Sequence, residues 1–186
     1  MNLISSSNKA LIILSFLVAI LPISLLTGSL IINLITITIS IIFLLELLIK
    51  KKLSFLHDWS FYLLIFLWVS FLINLIFSQD STLSIFRAAG FIRFIFLAQV
   101  IRYLFLIKDT KYKELILKSW LLIFLAVNID VLIEYFSGKN ILGYKSTIDG
   151  RLASFLDDEL KIGGYYFGFC SLSLAITYRY YKKDYK

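Results

Sequence analysis

Residues 30–49 read LIINLITITISIIFLLELLI, and whether this run is strand or helix decides the fold. Its Ile and Thr content favours strand in water, because β-branched side chains suit a pleated surface. Its length decides for helix, since it matches the ~20 residues needed to cross ~30 Å of hydrocarbon. Glu46 falls in the last turn, close enough to the boundary to be expected in water. Lys50-Lys51-Lys52 follows as a cytoplasmic anchor.

Outward from this run, the same criterion marks spans at 10–26, 61–77, 83–107, 119–136 and 160–181, with Pro22 expected to bend the far end of the first. Lys9 before an apolar core resembles a signal peptide. No A-x-A-like cleavage site follows, however, and Leu30 opens the next run at once, so an uncleaved helix is expected. The composition agrees: 60% hydrophobic and 17% aromatic, with mean hydropathy +0.87, where soluble domains average about 45–50% apolar residues. One Pro, no Gly/Ser-rich linker and no repeat imply a single domain over 1–186.

The net charge of +7 does not point to nucleic acid, because the cations sit at helix ends rather than along one soluble face. Lys9, Lys50–Lys52, Lys108, Lys111, Lys113, Lys118, Arg179, Lys182, Lys183 and Lys186 all fall on one side if the spans alternate. On the other side the cations are confined to 137–164. The positive-inside rule therefore predicts an all-α bundle of six transmembrane helices, both termini cytoplasmic, with one long outward loop at 137–159. Cys170 stands alone, so there is no disulfide framework. His57 lies in a cytoplasmic connector, on the wrong side to serve the outward loop.

Two spans carry charge. Run 83–107 holds Arg87, Arg93 and Arg102. Its fifteen Leu, Ile, Phe and Val residues favour insertion by roughly 5–9 kcal/mol, while three central arginines would oppose it by roughly 8–10 kcal/mol. Arg87 and Arg102 can snorkel; Arg93, near mid-span, needs partners. Run 119–136 carries Asn128, Asp130 and Glu134, and the i, i+4 spacing puts the two acids on one face. At ~1.5 Å per residue, Asp130 reaches a depth where it is expected to pair with Arg87 or Arg93.

The loop SGKNILGYKSTIDGRLASFLDDELKIGG, 137–164, is the one long polar interruption and must lie at the surface or face a water-filled cavity. Asn128-Ile-Asp130, Glu134-Tyr-Phe-Ser-Gly-Lys-Asn140-Ile-Leu-Gly143-Tyr144 and Gly150-Arg151-Leu-Ala-Ser-Phe155-Leu-Asp-Asp158-Glu159-Leu-Lys-Ile-Gly163 resemble the O-antigen ligase and polymerase family. The resemblance covers Asn128 to Phe169 and is no more than compatible with the rest. It implies a bacterial inner-membrane glycosyltransferase that moves glycan from undecaprenyl pyrophosphate to an acceptor at the periplasmic face, with no metal or other cofactor. Family members usually have about twice as many helices and a second periplasmic loop with a catalytic His. The chain thus resembles an amino-terminal half, with a second chain as a possible partner alongside membrane lipids.

Arg151 matches the family's loop arginine, and Arg suits a leaving pyrophosphate because its fork binds phosphate oxygens in two places. Arg87 and Arg93 are further pyrophosphate candidates from the membrane side. Asp158 and Glu159 are candidates for a base that activates the acceptor. The run Asp157-Asp158-Glu159 reads equally as the cap of the last helix, where the dipole favours negative charge. A metal site is not expected: three adjacent carboxylates cannot converge, and no His or Cys is near. Gly164 and Gly168 have the small-xxx-small spacing of close helix packing. Two other classes fit the same residues: a transporter holding an anionic lipid headgroup, and a non-catalytic membrane module.

Overall fold

The computed structural model of the protein describes residues 8–77, 81–107 and 109–145, together with 152, 154–156, 164, 165, 168, 171, 175 and 178. Among these, every regular element is helical: α1 (Asn8–Ala19), α2 (Leu21–Leu26), α3 (Ser29–Ile49), α4 (Trp59–Asn74), α5 (Ser81–Gly90), α6 (Ile92–Leu106) and α7 (Thr110–Ser137), with short 3-10 turns at Leu53–Leu56, Leu75–Phe77 and Ser154–Leu156. Among the described residues four stretches are long and apolar enough to cross a membrane: Ser29–Ile49, Trp59–Phe77, Ser84–Leu106 and Thr110–Ser137. The β-branched run 30–49 is helical, as its length demanded.

Three expected boundaries change. The span at 10–26 breaks at Ile20, and Pro22 sits in the first turn of α2, where its missing N–H costs no intrahelical bond. The span at 83–107 breaks at Phe91, whose amide bonds the Ala88 carbonyl at 3.2 Å and so tightens the chain locally. The span expected at 119–136 begins earlier, at Thr110, so Lys111, Lys113 and Lys118 occupy the first turns of α7. The expected span at 160–181 lies mostly outside the described residues, although Gly164, Tyr165, Gly168, Ser171, Ala175 and Tyr178 are helical.

The chain forms two compact units, residues 1–18 with 33–110, and residues 19–32 with 111–186. In the first, α3 buries Thr36, Ile39, Ser40, Phe43, Glu46 and Leu47, one helical stripe. α6 buries Ile95, Gln99, Val100, Tyr103 and Leu104. Phe43 and Phe55 both meet Tyr103 edge-on, with centroids 5.5 and 5.3 Å away, within the favoured range for aromatic pairs. The Ser40 hydroxyl donates to its own helix at Thr36 O (2.8 Å) and lies 3.3 Å from the Arg93 carbonyl of α6.

Glu46 corrects an expectation. It is only 5% exposed, paired with Lys50 one turn on, because a carboxylate facing the core needs its cation supplied locally. Arg102 is answered by Asp58, Nη2 to Oδ2 at 2.8 Å, and its guanidinium lies over the Phe55 ring at 5.1 Å. Asp58 also caps α4 by accepting from the Ser60 amide (3.4 Å), and it accepts from the Ser60 hydroxyl as well (2.7 Å). That hydroxyl, with Arg102 adding to it, holds the Asp58 carboxyl below its ordinary 3.8.

In the second unit α7 buries Tyr112, Ile116, Trp120, Ile123, Val127, Asp130 and Glu134. Ile123, Val127 and Tyr165 form its apolar cluster, with Leu26, Phe124 and Phe155 packed against it. The buried stripe of α7 thus runs from apolar side chains into two acids, and those acids organise the loop that follows.

Candidate functional site

The loop is built from the end of α7 outward. Gly138 stops the helix with φ +73, a left-handed conformation open to glycine, and its amide bonds the Glu134 carbonyl at 2.8 Å. Asn140 then folds the chain into a tight turn. Its amide donates to the Tyr144 carbonyl (2.9 Å), and its side-chain oxygen accepts from the Tyr144 amide (2.8 Å). Asn140 Nδ2 donates to the carbonyl of Ser154 at 2.8 Å, so the turn is fastened to the far side of the loop.

Both acids of α7 close this structure. Asp130, with no exposed surface, accepts from the Ile141 amide through Oδ1 (2.8 Å) and from the Ser154 hydroxyl through Oδ2 (2.5 Å). Glu134 Oε2 accepts from the Ser154 amide at 2.6 Å. Every polar group of Ser154 is therefore engaged: amide, hydroxyl and carbonyl. Ser154 is 2% exposed and held at φ +52, a conformation that non-glycine residues adopt at a cost and only where surrounding bonds impose it. Here three bonds impose it.

The expected answer of an arginine to Asp130 is replaced by this arrangement. An amide and a hydroxyl donate to the carboxylate, and bonds of that kind stabilise a buried charge without a cation. The i, i+4 reading of Asp130 and Glu134 holds, since both reach Ser154. Asn128 stays within its helix, donating to the Phe124 carbonyl at 2.7 Å. Arg151, Asp157, Asp158 and Glu159 lie outside the described residues. Ser154 and Asn140 were not singled out by sequence reasoning; the signal available was their place inside the segments Lys139-Asn140-Ile-Leu-Gly143 and Arg151-Leu-Ala-Ser154-Phe155.

As chemistry, the cluster positions rather than reacts. Asp130 is buried with both oxygens occupied, and the Ser154 hydroxyl proton points at a carboxylate, so neither faces a substrate. What the cluster does is clamp two points of the loop, Ile141 and Ser154, onto one membrane-length helix.

The other charged candidates belong to the first unit. Arg87 lines an open groove of about 420 Å³ with Phe71, Asn74, Leu75, Phe77, Ser84, Ala88 and Phe91. Arg93 folds back toward the break between α5 and α6. Its guanidinium carbon lies 4.9 Å from the Phe94 ring centroid, and a Cβ placed on Gly90 would meet Nη1 at 3.6 Å. Its Nε is buried without a hydrogen-bond partner. His57, exposed, approaches the Leu53 carbonyl through Nδ1 at 3.3 Å, a local contact in keeping with its reading as a connector residue. Among the described residues no group of His, Cys, Asp and Glu could hold a metal ion. Compared with protein-family models, curated proteins and solved structures, the chain matches none.

Proposed function

We propose that the protein is the donor-binding part of a bacterial inner-membrane glycosyltransferase of the O-antigen polymerase and ligase type. It acts on glycan carried by undecaprenyl pyrophosphate, with the 137–159 loop on the periplasmic side of a six-helix bundle whose termini are cytoplasmic. The acceptor hydroxyl attacks the anomeric carbon, a new glycosidic bond forms, and the bond from that carbon to the pyrophosphate oxygen breaks. Undecaprenyl pyrophosphate departs with the electron pair. The hydroxyl proton passes to a carboxylate, for which Asp158 and Glu159 are the candidates. Arg151 neutralises charge on the departing pyrophosphate.

One observation carries this reading. The segment that resembles the family is the one whose loop Asp130 and Glu134 clamp to α7 through Ile141 and Ser154. A binding residue acts well only if its support is rigid, and Arg151 is three positions from Ser154. The test is binding of undecaprenyl pyrophosphate-linked glycan by the purified chain in detergent. Arg151→Lys keeps the charge but loses the fork, and affinity is expected to fall roughly ten- to a hundred-fold, the worth of a charged hydrogen bond of ~1.5–3 kcal/mol. Equal affinity of wild type and Arg151→Lys, both folded, refutes the assignment.

A further inference from the structure

The groove beside Arg87 is unexplained by the loop. Its walls are two helical stripes, Phe71, Asn74 and Leu75 at the end of α4 and into the 3-10 turn, and Ser84, Arg87, Ala88 and Phe91 running from α5 toward α6, with Phe77 closing the 3-10 turn. Both stripes follow the i, i+3, i+4 spacing of one helix face. The helices are fastened to each other beside the groove: the Trp68 indole donates to the Ala88 carbonyl at 2.8 Å, and Phe71 meets Phe91 edge-on at 4.9 Å. The concavity is therefore held by specific contacts.

Its chemistry is lopsided. Phe71, Leu75, Phe77 and Phe91 make an apolar lining, and among the described residues no carboxylate lines it and Arg87 is its one cation. Among the described residues Arg87 makes no ion pair or hydrogen bond. A guanidinium at the rim of a membrane-length helix pair without a counter-charge is costly, and the cost is relieved by an anion. A water-soluble anion would leave the apolar wall unused. α4 has no buried residue, so the groove opens along a helix whose exposed side chains, Asn74 apart, are hydrocarbon and aromatic. A ligand with a phosphate head and an acyl tail satisfies both halves at once.

We infer that this groove binds an anionic phospholipid, its phosphate held by the fork of Arg87 with Asn74 alongside and its acyl chain lying on Phe71 and Phe91. The inference does not depend on the loop or on glycan transfer.

The experiment is native mass spectrometry of the full chain released from detergent, titrated with phosphatidylglycerol, with diacylglycerol, with inorganic phosphate and with undecaprenyl pyrophosphate. Phosphatidylglycerol is expected to bind, and diacylglycerol and inorganic phosphate each to bind far more weakly. Arg87→Gln should weaken phosphatidylglycerol about ten-fold or more, while Lys118→Gln, an exposed cation paired with Glu114, leaves it unchanged. Asn74→Asp is the second variant, for it keeps Arg87 and sets a carboxylate in the groove; it too should weaken the lipid. Phosphatidylglycerol binding that both variants leave intact overturns the proposal. So does inorganic phosphate binding as tightly as the lipid, which would make this an anion site only. Undecaprenyl pyrophosphate that survives Arg87→Gln supports a groove separate from the proposed donor site. If it instead displaces phosphatidylglycerol, the groove belongs to the donor and the inference fails.

Discussion

Asp130→Ala should release the loop from α7 without unfolding the helix. The substitution removes the acceptor of the Ile141 amide and of the Ser154 hydroxyl. Two hydrogen bonds to a charged group contribute roughly 3–6 kcal/mol together, partly offset because the buried carboxylate no longer has to be desolvated. A net loss of about 3 kcal/mol is expected, confined to the loop. Since about 1.4 kcal/mol is a factor of ten, the population of the opened loop rises about a hundred-fold. Hydrogen exchange reads this directly, because amides of a local unit exchange through its own opening. The Ile141 and Ser154 amides should exchange about a hundred times faster, while amides of Trp120 to Val127 keep their protection. Asp130→Asn preserves one acceptor and can still donate to the Ser154 oxygen, so its effect should be smaller by about an order of magnitude. Asn128→Ala, whose side chain bonds only its own helix, serves as control and should leave the loop unchanged. Unaltered exchange at Ile141 and Ser154 in Asp130→Ala would refute the clamp.

The proposed topology predicts that cysteine at position 147, in a chain with Cys170 replaced by Ser, reacts with an impermeant thiol reagent from the periplasm while cysteine at 111 does not; the reverse pattern rejects it. Asp58 is held below its ordinary 3.8 by the Ser60 hydroxyl, so its contribution is present above that pH and lost as the pH falls through its lower folded value. Protection of the Ser60 amide, relative to the intrinsic exchange rate at each pH, should accordingly fall on acidification below 3.8 in wild type and show no such step in Asp58→Asn. Gly138→Ala should cost about 1–2 kcal/mol in loop opening, because φ +73 is strained for an L side chain. Gly90→Ala, by contrast, meets only an ordinary 3.6 Å contact with Arg93 and should leave melting within about 1 kcal/mol of wild type, tending to stiffen α5.

Sequence alone determined the class of the fold. Hydropathy and run length are properties of contiguous residues, so the helices at 30–49 and 61–77 were legible, as was the shared face of Asp130 and Glu134, because 3.6-residue periodicity is local. What Asp130 binds was not legible. Its partners are a backbone amide at 141 and a serine at 154, and an amide carries no sequence signature. An arginine partner was expected for it because charge is the only complement a sequence displays. The breaks at Ile20 and Phe91 show the same division. Pro22 announced the first, since its ring acts on its own turn. The second lies where Ala88 and Phe91 meet Trp68 and Phe71 of α4, contacts between segments distant in the chain. Asp58 capping α4 while answering Arg102 joins positions 44 apart in the numbering, and only packing in three dimensions brings such positions together.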